Sequence, residues 1–168
     1  MNLTPLATAP LAVQIHAVAA IGALVLGALV LFRRKGTPLH RLMGRLWVVL
    51  MLVVATSALF INEIRLIGPF SPIHLFVVVT YVGVARGIYT IRRRRVAEHR
   101  AAMQGLYFFS LVLAGCFTLL PGRRMAAVLF GAEAGWTPSL VAIALGLVVS
   151  AAIYMRLQAR ARRVGARV

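Results

Sequence analysis

Four histidines carry the clearest chemical signal in this 168-residue chain: His16, His40, His74 and His99. Imidazole is a common axial ligand of haem iron and a common ligand of zinc and copper. The chain holds five long apolar runs, and each of the first four has one histidine within it or at its start. An ionisable residue in or near a membrane is costly and reads by default as functional.

The spacing places these histidines at two depths. His16 lies 16 residues before Phe32, the inner end of the first run, and His74 lies 17 before Ile91. At 1.5 Å per residue these offsets are about 24 and 26 Å. His40 lies 22 residues before Asn62, and His99 lies 22 before Pro121. His16 and His74 therefore share an outer level, and His40 and His99 an inner one. In an up-and-down bundle, helices one and three are diagonal partners, as are two and four. A diagonal pair of histidines reaches both faces of a planar haem in the bundle core. The expectation is two haem b groups, with His16, His74, His40 and His99 as axial ligands of the iron.

Other residues join these histidines or offer an alternative. Arg41, Arg45 and Arg100 fall near the inner histidines, and Arg86 lies within the third run. Arg favours carboxylates, so these four are expected to meet haem propionates. A ligating imidazole also needs an acceptor for its second nitrogen. Ser71 and Thr37 are candidates, and Glu98 is a candidate to orient His99. Met43 and Met103 follow His40 and His99 by three and four residues, which puts each on its histidine's helical face. Imidazole with thioether suits Cu(I), whereas a gap-filling Met needs no metal. The chain has no Asp, and Glu63, Glu98 and Glu133 are its only acids. A Ser-His-Asp triad and a di-iron carboxylate cluster are excluded, and neither a P-loop nor a Rossmann fingerprint occurs.

These residues need elements to hold them. The chain is 61% apolar and 13% charged, with mean hydropathy +0.91, far from the roughly 25% charge of a soluble domain. About 20 helical residues cross about 30 Å of hydrocarbon. Five runs qualify, at about 11–32, 42–61, 72–91, 101–120 and 138–155. Helices satisfy their own backbone in lipid. The fold expected is an all-α integral membrane protein of five transmembrane helices. The first four form an up-and-down bundle, the fifth is peripheral, and residues 1–168 are one domain. Pro38, Pro69, Pro72, Pro121 and Pro138 mark helix ends. Gly83 and Gly87 permit close approach of a helix or a flat cofactor, and Ala142, Gly146 and Ser150 repeat small residues at the same spacing.

The net charge is +16, with the cations between the apolar runs. This distribution is a topology signal and not the single basic face of a nucleic-acid binder. Arg33, Arg34, Lys35, Arg41, Arg45, Arg92 to Arg95, Arg100, Arg156, Arg160, Arg162, Arg163 and Arg167 share one side. The positive-inside rule makes that side cytoplasmic, with the N-terminus outside and the C-terminus inside. The setting expected is a bacterial inner membrane, with anionic lipid gathered at the basic rim. Cys116 stands alone in an apolar run, so no intrachain disulfide forms. No basic stretch precedes the first apolar run, so no cleaved signal peptide is expected. Oligomer formation is open, and no nucleic-acid partner is expected.

Three stretches resemble a family of bacterial predicted membrane proteins of unknown function. They are KGTPLHRLMGRLWVVLM at 35–51, FSPIHLF at 70–76, and HRAAMQGLY with AGCFTLLPGR at 99–107 and 114–123. The histidine placement is also similar to that of the ascorbate-reducible two-haem transmembrane cytochromes b. That resemblance implies transmembrane electron transfer by an oxidoreductase, from a reductant such as ascorbate or a quinol, with His16 and His74 as the outer pair and His40 and His99 as the inner. Those cytochromes usually have six spans, with the extra helix before the ligand bundle; here it follows. The alternative expectation is a non-enzymatic membrane protein: metal-handling, a transporter subunit or an assembly partner.

Overall fold

The computed structural model describes residues 2–61 and 74–165. All regular structure among the described residues is helical: α1 Thr4–Ala7, α2 Leu11–Phe32, α3 Pro38–Ala58, α4 His74–Arg92, α5 Val96–Phe117, α6 Arg124–Phe130 and α7 Trp136–Gly165. Five of them are long and apolar enough to span a membrane: α2, α3, most of α4, α5 and the stretch Trp136–Ala159 of α7.

Local chemistry explains where the ends fall. The helix α3 begins four residues earlier than expected, because Thr37 and Pro38 start it together. Pro38 occupies the first turn, where its missing N–H is no loss. The Thr37 hydroxyl accepts from the His40 backbone N–H at 3.1 Å. Replacing Thr37 by Ala removes this cap, with an expected cost of about 1 kcal/mol, measurable as a lower midpoint in a denaturation titration. At the end of α2, the Lys35 ammonium folds back onto the carbonyls of Val30, Leu31 and Arg33, which a helix C-terminus leaves without partners. The helix α5 also begins early, at Val96, so His40 and His99 sit inside helices and not ahead of them. Residues 62–73, which include Ser71 and the expected start of the third span, lie outside the described residues.

The helices form a closed ring. α2 packs on α3, α3 on α4, α4 on α5, and α5 back on α2. The diagonals are thus α2 with α4 and α3 with α5, which are the first span with the third and the second with the fourth. α7 packs outside the ring, against α5 and α6. Leu140, Val141, Leu145 and Val148 are each more than half exposed, as lipid-facing residues are.

The centre of the ring is filled by Ala23, Trp47, Met51, Val84, Leu106, Tyr107, Phe108 and Leu111. Trp47 donates its indole N–H to the Ala23 carbonyl at 2.9 Å, and the Tyr107 hydroxyl donates to the Leu24 carbonyl at 3.3 Å. Both rings lie against Gly27: a Cβ there would stand 2.5 Å from Trp47 Nε1 and 2.7 Å from Tyr107 Cδ2. The sequence spacing alone did not mark Gly27, whose role depends on two rings from other helices.

Two features were not expected. Leu106–Leu113 of α5 is a π-helix, a wider turn that is rare and often falls at functional positions. The short helices α1 and α6 pack together at the end away from the arginine-rich loops. There Asn2 N–H donates to the Val128 carbonyl at 3.2 Å, and Arg124 donates to the Pro5 carbonyl at 3.3 Å.

Candidate functional site

The histidines sit at opposite ends of the bundle. His16, on the second turn of α2, turns its Nδ1 towards α3, 3.0 Å from the Val54 carbonyl and 3.1 Å from Ser57 Oγ. A carbonyl only accepts, so Nδ1 carries the proton. The Ser57 hydroxyl donates to the Val53 carbonyl at 2.7 Å, leaving its oxygen free to accept from the same imidazole. The remaining nitrogen, Nε2, keeps its lone pair. Val54 and Ser57 stand 14 and 17 residues along α3 from His40. The His16 level is therefore about 21–25 Å along the axis from the His40 level. His74 opens α4, and its side chain lies outside the described residues, so the outer pairing is not on view.

At the arginine-rich end, His99 Nδ1 stands 2.8 Å from the Gly87 carbonyl of α4. The same reasoning puts the proton on Nδ1 and the lone pair on Nε2. His40 lies in the first turn of the diagonal helix α3, at the same end. Its own Nδ1 is buried with no hydrogen-bond partner. His40 on α3 and His99 on α5 thus lie towards the same end of the bundle.

The expected supporting residues divide. Thr37 caps α3 through the His40 backbone and does not hold the His40 ring. Glu98 pairs with Arg95 at 3.6 Å, one turn back on its own helix, and the Gly87 carbonyl orients His99 instead. Arg41, Arg45, Arg86 and Arg100 are all exposed. Gly83 and Gly87 serve helix packing. A Cβ at Gly83 would meet Leu106 Cδ2 at 2.6 Å, and the Met103 methyl occupies the notch at Gly87. That face of α4 is covered by α5 and has no room for a flat cofactor. Met103 is thereby committed to packing, which takes it from the copper expectation. Among the described residues, no three His, Cys, Asp or Glu side chains come together.

Sequence reasoning missed two participants. Val54 and Gly87 act through backbone carbonyls, which side-chain identity does not reveal. Lys35, expected among the rim cations, folds back onto the carbonyls at the end of α2. Partial burial draws the Lys35 ammonium below its ordinary pKa, and the nearby Arg100 charge adds to that. Between α2 and α3, an open groove of about 550 Å³ is lined by Leu11, Ile15, Leu52, Val53, Thr56 and Phe60 with other small residues. It faces lipid and is almost wholly apolar.

Comparison with curated proteins and with solved structures gives no match. The chain matches one family description from the first turn of α2 almost to the end of α7's apolar stretch. On that match, over residues 13–157, the protein belongs to the DUF2306 family of predicted membrane proteins.

Proposed function

We propose that this membrane protein binds haem b at both ends of its four-helix ring and carries electrons between the two sites. The observation that carries the proposal is the state of the imidazoles. His16 and His99 each donate Nδ1–H to a backbone carbonyl of a neighbouring helix. That fixes ring orientation and tautomer and leaves Nε2 as a ligand, the outer-sphere arrangement typical of metal-bound histidine. His40 and His99 come from diagonal helices and lie towards one end of the bundle. A bis-histidine haem needs only two such side chains.

At the arginine-rich end, His99 Nε2 bears the lone pair that a haem would need. His40 and His99 would hold that group, and His16 with His74 the other. Bound haem supplies one-electron chemistry at its iron. The chain's own work is to fix ligand orientation, exclude water and separate the sites. Trp47, Met51 and Tyr107 form the packed layer between the two levels. Arg41, Arg45, Arg86 and Arg100 are the cations available to propionates near the rim. The bacterial inner membrane, the basic end as its cytoplasmic side, and a small-molecule or protein electron donor and acceptor belong to the same proposal.

The test is a pyridine haemochrome count on protein purified in detergent after expression with haem supplied. Two haems b per chain are expected. A chain that takes up none is not a cytochrome.

A further inference from the structure

The Ser110 hydroxyl of α5 has no hydrogen-bond partner among the described residues, although the residue is buried, at 6% exposure. Hydroxyls of α3 and α4 are served by their own helices. Thr56, Ser57, Thr80 and Thr90 each donate to the carbonyl four residues back, at 2.7–2.8 Å. The carbonyl four residues before Ser110 is that of Leu106. Ser110 misses it because Leu106–Leu113 is wound as a π-helix, whose hydrogen bonds reach five residues along the chain. The wider winding holds one more residue than the α-turns on either side of it.

Packing grips the two flanks of this segment unequally. On the inner side His99 Nδ1 donates to the Gly87 carbonyl at 2.8 Å, the Met103 methyl fills the notch at Gly87, and Leu106 lies against Gly83. On the outer side Ala114–Phe117 contains no buried residue. Its ring contact is Phe117 with Phe76 of α4, centroids 6.2 Å apart. The chain then leaves the helix through short turns, in which Thr118, Leu119 and Leu120 N–H donate to Gly115, Cys116 and Phe117. Such turns can take up a residue. Within the wide segment, Phe108 and Phe109 both pack edge-on against Tyr154 of α7, at 5.3 and 6.5 Å between centroids. That contact braces the π-winding.

We propose that residues 106–113 exchange between the π-winding and an ordinary α-winding. In the α-form Ser110 donates to the Leu106 carbonyl, as its four counterparts do to theirs, and the extra residue passes into the turns at 118–120. The inner half of α5 stays clamped on α4. The outer half turns by about 100° and shifts by about 1.5 Å, one residue's share of an α-helix, and carries Phe117 away from Phe76. The exchange is a device inside α5 that reshapes the outer end of the bundle, and it does not depend on haem.

The experiment is fluorine NMR of the detergent-purified full chain, tagged with a trifluoromethyl thiol reagent at Cys116. This is the chain's only cysteine and lies in the outer half of α5. A major and a minor resonance are expected, linked by saturation transfer. Ser110→Ala removes the unpaired hydroxyl from the π-form and the bond from the α-form, so it should lower the minor population about tenfold. Tyr154→Ala removes the brace and should raise that population. Deletion of Phe109 takes out one residue, forces the α-winding and should leave a single resonance at the minor position. Thr80→Ala deletes a hydroxyl bond in a regular helix and should leave the ratio within about twofold, which guards against a general loosening. A wild-type chain with one resonance and no saturation-transfer partner would overturn the proposal. So would equal changes of the ratio in Ser110→Ala and Thr80→Ala, or a folded Phe109-deleted chain that keeps the major resonance. If the deletion unfolds the chain, the Ser110 and Thr80 variants decide alone.

Discussion

Replacing His99 by Ala is expected to halve the haem content, from two per chain to one, and to leave the haem at the far end in place. His99 is the inner-end imidazole whose tautomer is set by a protein carbonyl, at 2.8 Å from Gly87. Its removal leaves His40 without a diagonal partner. His16→Ala should give the converse, losing the other haem while keeping that of the arginine-rich end. The two levels are about 21–25 Å apart along the axis and are separated by the Trp47, Met51 and Tyr107 layer. Their losses should therefore be independent and add in the double variant. Haem count, spectrum and midpoint potential of the remaining haem distinguish the two variants. Equal, complete haem loss in both, with the helical signal intact, contradicts two separate sites.

Gly27→Ala is expected to be the most damaging of the glycine changes, at about 1–3 kcal/mol. The new methyl would meet Trp47 Nε1 at 2.5 Å and Tyr107 Cδ2 at 2.7 Å. Neither ring can swing aside freely, since Trp47 is tied to the Ala23 carbonyl and Tyr107 to the Leu24 carbonyl. Gly87→Ala makes a useful contrast. The methyl would there meet the end of Met103, an unbranched side chain with three rotatable bonds that re-packs readily. Its cost should stay below about 1 kcal/mol. Reversible unfolding in mixed micelles measures both. A Gly87 variant at least as unstable as the Gly27 variant would show that the α4–α5 contact, and not the aromatic clamp, dominates the core.

Hydropathy was enough to find five membrane-length helices, because lipid forces long apolar runs into helices whatever their neighbours. Helix ends were less legible. α3 and α5 start at Pro38 and Val96, since capping by Thr37 and a tight turn through Arg94, at φ 60°, let charged residues join the first turns. Hydropathy weighs those charges against a span. The π-helical segment left no signal in LYFFSLVL, which reads as any buried helix. It arises where α5 meets α2, α4 and α7 together.

The site was legible in part. Counting depth along the runs put His16 towards one end and His40 and His99 towards the other, and the helices place them so. The His74 side chain lies outside the described residues. What periodicity could not supply was the partner of each imidazole. The sequence pointed to hydroxyls and a carboxylate, Thr37, Ser71 and Glu98. The structure uses the carbonyls of Val54 and Gly87 for His16 and His99. The Gly83 and Gly87 pair fitted a helix or a flat cofactor equally well in sequence, and only the side chains of Leu106 and Met103 decide for the helix.

The proposed holding of haem iron by imidazoles on both faces is tested most directly by the visible spectrum of the purified protein, oxidised and reduced, with and without carbon monoxide. Six-coordinate low-spin bands in both states, unchanged by carbon monoxide, are the expected result. A high-spin haem that binds carbon monoxide, or colourless protein after expression with haem supplied, would contradict it.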